Sequence, residues 1–234
     1  MRLTAPLVLL VAALLPATVP PAAARGPEMS APCTARLQPG DDLAAALTDG
    51  AVVCLAPGVH HGHLFIEHSL TVQAEPGAIL DAGGAGSAVH IAGDGLRVRL
   101  VGLELTRGRA ELGAGLLVEG DSDVEAVDLH IHGNTTPAPG AGVGVLRGRL
   151  KLQGGRVQDE VLITLVGDLE VQGTALDGGL VLREHARATL GPGSTSARTD
   201  LRGGPRRAPT LRLQGGDPGD VRNDPRHPGV VEGG

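Results

Sequence analysis

Glu104, His130 and Arg156 recur at steps of 26 residues. A carboxylate, an imidazole and a guanidinium held side by side could take up a proton, pass it on and stabilise the resulting anion. The densest run of histidines is His60, His61, His63 and His68. Imidazole suits copper, zinc or nickel, so these four are the metal candidates, with a solvated loop as the competing account. His130 and His132 sit two residues apart and could chelate an ion if a third ligand came close. Cys33 and Cys54 are the only cysteines. An even pair without CxxC spacing reads as a disulfide rather than a metal or redox pair, and such a loop contributes about 3 kcal/mol. Asn134-Thr-Thr136 has the form of a glycosylation acceptor and reads as a polar loop between repeats.

Composition narrows what these residues can serve. The 234 residues carry a net charge of -6, no Trp or Tyr, and a single Phe, Phe65. A nucleic-acid binder would be basic and carry stacking aromatics, and a sugar groove paved with rings is impossible. Hydrophobic residues reach 41%, too many for a disordered chain. The 37 glycines and 17 prolines lack the period of three that collagen needs. Lys151 is the only lysine among 20 basic residues, a bias of GC-rich bacterial genomes. Arg2, the apolar run Leu7 to Leu15 and the small residues Ala22 to Ala24 read as a signal peptide over 1–24. The run is too short to span a bilayer. The mature chain is therefore expected outside the cytoplasm, in the periplasm, secreted or on the cell surface, with no membrane span.

An internal repeat supplies the elements that would position the candidates. Val72, Val98, Val124, Leu150, Leu169 and Ala188 form an inward column with steps of 26, 26, 26, 19 and 19 residues. Leu105, Ile131, Val157 and Leu176 form a second, and Gly102, Asp128, Gly154 and Gly173 mark a turn between them. The flanking residues alternate apolar and polar, as in strands with one buried face. Outward positions read Arg97, Asp123, Arg149, Asp168, Arg187 and, two residues on, Arg99, Glu125, Lys151, Glu170. In coils stacked in parallel about 4.8 Å apart, each charge would lie between two opposite ones. By that rule Glu104, His130 and Arg156 could equally be a third charge ladder.

The expectation is an all-β parallel β-helix of about six coils over 40–204, with a short capping helix within 40–50 pinned by the disulfide. Residues 25–39 form an N-terminal segment. Residues 205–234 read as a mobile tail, in which Pro209–Leu213 could add one last strand.

The phrases Leu43-Ala-Ala-Ala-Leu47, Gly50-Ala-Val-Val-Cys-Leu-Ala-Pro-Gly-Val-His-His-Gly62 and Ala78-Ile-Leu-Asp-Ala-Gly-Gly84 resemble the opening of right-handed parallel β-helix proteins of the pectin-lyase-like superfamily. The resemblance implies the right hand of the helix. It leaves function open, because that superfamily holds lyases, hydrolases, epimerases and adhesins. Lyases of this fold combine a Ca²⁺-binding acid cluster with a basic residue, which would make Glu104, His130 and Arg156 the catalytic set, with Asp159 or Asp177 beside them. Arg149-Leu-Lys151 is similar to a phrase of polygalacturonase-like hydrolases, but the accompanying paired-Asp and Gly-His-Gly phrases are missing. A copper-linked maturation protein of this fold implies that the histidine run could bind metal. The first reading is a non-catalytic structural, adhesive or polymer-binding protein with no cofactor, whose partner is an acidic polysaccharide or a cell-envelope component. The alternatives are a minimal lyase needing Ca²⁺ and a periplasmic metal-binding protein.

Overall fold

Short period-2 segments joined by glycine-rich corners cannot bury their apolar face alone, so they stack on copies of themselves. The computed structural model describes residues 31–137, 139–204 and 208–233; the leader expected over 1–24 lies outside them. The chain winds as an all-β, right-handed parallel solenoid of about nine turns. Each full turn passes through three sheets. The first stacks ten strands, from Ala35–Leu37 and Val52–Leu55 to Thr210–Leu213 and Val230–Gly233. The second stacks seven, from Gly58–His61 to Thr195–Ser196, and the third eight, from Leu64–Ile66 to Asp220–Asn223. Among the described residues no helix is long and apolar enough to cross a membrane.

The inward columns are the core. Val98, Val124, Leu150, Leu169 and Ala188 pair in that order, as do Leu105, Ile131, Val157 and Leu176, and all are buried. The turn between the first and second sheets has a left-handed backbone at the expected positions, with φ of 67° at Gly102, 51° at Asp128, 67° at Gly154 and 63° at Gly173. Each of these N–H groups donates to a carbonyl of the following coil at 2.8–3.0 Å, so the corner joins the stack without orphaned donors.

Four details differ from expectation. Val98 pairs with Leu70 rather than Val72, a step of 28 residues. The corner Glu75-Pro76-Gly77 is the cause: Leu70 to Leu80 spans ten residues, where the paired Val98 to Leu105 spans seven. The coils number about nine rather than six. Four first-sheet strands stand outside the column that starts at Val72: Val52–Leu55, one 19-residue step before it, and Ala35–Leu37, Thr210–Leu213 and Val230–Gly233, which pair in parallel but do not follow the 26- and 19-residue steps. Two of them lie in the stretch read as a tail, where Thr210–Leu213 is the one strand allowed for; Val230–Gly233 and, in the third sheet, Asp220–Asn223 extend the solenoid beyond it. The capping segment forms only a 3₁₀ turn, Ala44–Ala46. The nine residues between Gly40 and Gly50 cannot offset helix nucleation, yet Leu43 and Leu47 still bury themselves in the core.

The disulfide joins Cys33 to Cys54 with Cα atoms 5.7 Å apart. It ties the segment before the first strand to the second strand of the same sheet. Gln73 Nε2 donates to Cys54 Sγ at 3.2 Å and to the Ala31 carbonyl at 2.6 Å, closing the outer face there. Disulfides persist in oxidising compartments, which points to a location outside the cytoplasm.

Coil length falls from 26 to 19 at a single corner. Thr106 to Leu116 and His132 to Val143 bridge the second and third sheets with long loops, whereas Val157 to Val161 is a tight turn. The two long loops flank the second-sheet strands that carry Glu104, His130 and His132.

Candidate functional site

Parallel pairing places Glu104 opposite His130, and His130 opposite Arg156, on the outer face of the second sheet. The side chains then separate. Arg156 turns to the next coil and pairs with Asp177. Glu104 reaches diagonally past His130 to His132, whose Nε2 lies 3.0 Å from Glu104 Oε1. The His130 and His132 rings lie 4.8 Å apart, centre to centre, and Gln158 Nε2 is 3.3 Å from His130 Nε2. Glu104, His130 and His132 bring one ligand atom each within 4.8 Å of the others, the one such group of three among the described residues. Backbone register therefore unites the expected trio, but their side chains unite Glu104 with His132 and leave Arg156 out. Only the diagonal rotamer decides this, and no periodicity announces it.

Calcium takes six to eight oxygen ligands. The acids beside Arg156 do not offer them. Asp177 is engaged by Arg156 itself. Asp159 Oδ2 accepts from the Asn134 backbone N–H and side-chain amide, both at 2.9 Å. Asn134 is buried, and its Oδ1 accepts from the Gly108 N–H at 2.8 Å. The sequon asparagine is thus a structural link between two stacked loops rather than an exposed acceptor.

The histidine run does not converge. His60 is inside the solenoid, in register with Leu80, with Nε2 2.8 Å from the Ala56 carbonyl and no partner for Nδ1 among the described residues. His61, His63 and His68 are exposed, and His61 lies 3.7 Å from Asp81 Oδ2. Strand alternation sends His60 and His61 to opposite faces, so the run cannot act as one ligand set. Asp81, in the phrase that resembles a β-helix opening, accepts from the Gly83 N–H at 2.8 Å and from Arg107 Nη1 at 2.8 Å. That phrase holds a corner together.

The charge columns of the first sheet are in register. Arg149 lies 3.3 Å from Asp123, Arg187 3.8 Å from Asp168 and Lys151 3.9 Å from Glu170, and Arg99 pairs with Glu125. Arg149 and Lys151, the hydrolase-like phrase, are thus both held in ladders. A shallow groove crosses these strands along the solenoid axis. Arg97, Arg99, Arg149 and Lys151 line it with two acids, Asp123 and Glu125. Lys151 meets its partner, Glu170, outside the groove. The Arg97 backbone N–H donates to the Ser69 hydroxyl at 3.0 Å, and its guanidinium has no ion-pair partner among the described residues. The groove is therefore positive in a chain whose net charge is -6. Every charged residue of the groove is legible in the sequence columns, but their alternation of sign alone implies a neutral face. The surplus arises because the ladder begins with an arginine facing uncharged coils.

Comparison with family models, with curated proteins and with solved structures returned no match. The chain's own geometry carries the functional reading.

Proposed function

We propose that this chain is an extracytoplasmic, non-catalytic β-helix protein of pectin-lyase-like type that binds an acidic polysaccharide along its first sheet. The single carrying observation is the axial groove with four basic and two acidic side chains, of which Arg97 has no ion-pair partner among the described residues. A polymer can lie along an axial groove and meet one charged column after another. Anionic groups spaced along it would compete with Asp123 and Glu125 for the guanidinium groups, and arginine suits carboxylate and sulfate geometry. Without aromatic platforms the contact rests on charge, so it weakens steeply with salt. The disulfide and the opening phrases support the compartment and the type. A calcium-dependent lyase has less support, since Arg156 is already paired and the acids near it are engaged.

The test is retention of residues 25–234 on immobilised acidic polysaccharides, with absorbance of unsaturated products followed in parallel. We expect retention that elutes with salt, no product, and a loss of several-fold on Arg97→Glu. Retention indifferent to Arg97→Glu would refute the groove. Turnover that falls on replacing Arg156 or His130 would establish the lyase instead.

A further inference from the structure

The outer face of the second sheet breaks the rule that governs the first. There, Asp123, Glu125, Asp168 and Glu170 each meet an arginine or lysine on an adjacent coil. Here Glu104 has no such partner among the described residues, where its one hydrogen-bonded side chain is His132. The neighbouring cation, Arg156, is neutralised by Asp177 and directed away. What remains is a carboxylate and two imidazoles, about two-thirds buried at Glu104 and His132, with donor atoms within 4.8 Å of one another. We propose that Glu104, His130 and His132 form a binding site for a divalent transition-metal ion of the zinc class.

The donor set favours that class. Two imidazole nitrogens and one carboxylate oxygen are a recurrent zinc set that leaves a fourth position open. Calcium and magnesium would require more oxygens. Zinc–ligand bonds of about 2.0–2.2 Å put ligand atoms about 3.3–3.5 Å apart. The Glu104–His132 pair is already that close, at 3.0 Å, and His130 needs only a side-chain rotation. Its present neighbour, the Gln158 amide at 3.3 Å, can present its oxygen instead and take the open position. The backbone is fixed for the purpose. His130 and His132 occupy alternate positions of one strand, and Glu104 comes from the coil before, held in parallel register by Leu105 opposite Ile131. A bound ion would therefore staple two adjacent coils. This site lies on a different sheet from the polysaccharide groove, and neither needs the other.

The experiment is calorimetry of untagged residues 25–234 with Zn²⁺, with thermal melting in the presence and absence of the ion. We expect one Zn²⁺ per chain, a melting temperature that rises with Zn²⁺ and falls back with chelator, and at least about tenfold weaker binding in Glu104→Gln and His132→Ala. Ligand replacement removes a direct bond, and even outer-shell changes cost about 10–100-fold. His63→Ala, an exposed histidine on another coil, should bind as the parent does. Far-ultraviolet circular dichroism of each variant separates lost binding from lost folding. No binding by a folded parent chain would overturn the proposal. So would binding that survives both ligand variants or is lost with His63→Ala.

Discussion

Arg36 and Glu75 are separated by 39 residues but bonded twice, at 2.6 Å and 3.0 Å. Arg36 stands in the first strand and Glu75 just past the third, so the pair spans the strand that carries Cys54. The hydrogen bonds from Arg36 hold the Glu75 carboxyl below the usual carboxylate range, against a smaller opposing effect of desolvation. Arg36 is pushed further up by the same bonds and stays charged throughout. A carboxyl with a depressed folded value contributes stability above its unfolded value, about 4.3, and loses it as pH falls through the folded value. Glu75→Gln should therefore melt below the parent at pH 7. The gap should close in acid, below the folded value, where the parent's Glu75 is itself protonated. A gap constant across that range in paired thermal melts would show that the ion pair does not contribute in this way. The pair is solvent-facing, so salt should also shrink the gap. Nothing in the sequence points to it, because strand-to-strand reach across 39 residues depends on where the first coil begins. The same holds for Asn134, whose Asn-Thr-Thr context reads as a polar loop between repeats, while burial and its bonds to Asp159 and Gly108 make it a link between two loops.

At the scale of elements, repeat arithmetic carries far. Strict alternation and equal steps place Arg97, Asp123, Arg149, Asp168 and Arg187 on one line, and the observed pairs follow it. A fixed coil length leaves only one register that keeps every apolar residue inside. Where coil length changes, the arithmetic weakens. Three extra residues at the corner of Pro76, offset by one fewer on the return from Leu80 to Val98, shift the pairing of Val98 by two, from Val72 to Leu70. Side-chain direction is a further step removed. Alternation says that His60 and His61 face oppositely, but only neighbouring coils settle which is inside. Corners are the elements most sensitive to substitution. Gly155 has φ of 73°, and a Cβ there would stand 2.2 Å from the Leu129 carbonyl oxygen of the coil below. Left-handed backbone costs an L-residue about 1–2 kcal/mol, and the clash adds to it. Gly155→Ala should lower stability by at least that amount, read from the urea midpoint. Asp128 already holds φ of 51° at its corner, and aspartate tolerates that region. Asp128→Gly relieves strain but loosens the unfolded chain, so it should change stability by less than about 1 kcal/mol. A Gly155→Ala chain as stable as the parent would show that the corners can rearrange freely.

Across the whole molecule, stability is close to a sum over neighbouring coils, so the ends decide how it unravels. The N-terminal end is built to resist fraying. Leu43 and Leu47 fold back into the core, Gln73 binds both Cys54 and Ala31, and the disulfide fixes residues 33 and 54 to each other. The last strands, Asp220–Asn223 and Val230–Gly233, are exposed along their length, and Val230 and Val231 remain accessible. Reduction therefore has a local consequence before a global one. Closing a loop of 21 residues contributes about 3 kcal/mol, and that contribution lies in the first two coils. The central coils, around Leu116, Ile131 and Leu150, keep neighbours on both sides and do not touch the bridge. In Cys33→Ser/Cys54→Ser, hydrogen exchange should speed up over Ala35–His61 by up to about a hundredfold, the kinetic equivalent of that free energy in local opening. Protection around Ile131 and Leu150 should stay near the parent's. A uniform rise in exchange along the whole chain would mean that the solenoid opens as one cooperative unit, and that the bridge supports all coils equally. Confinement of the change to the first coils would instead mean that the groove at Arg97 and the Glu104–His132 cluster sit on a core that does not depend on the bridge. Both sites should then keep their binding in the reduced chain.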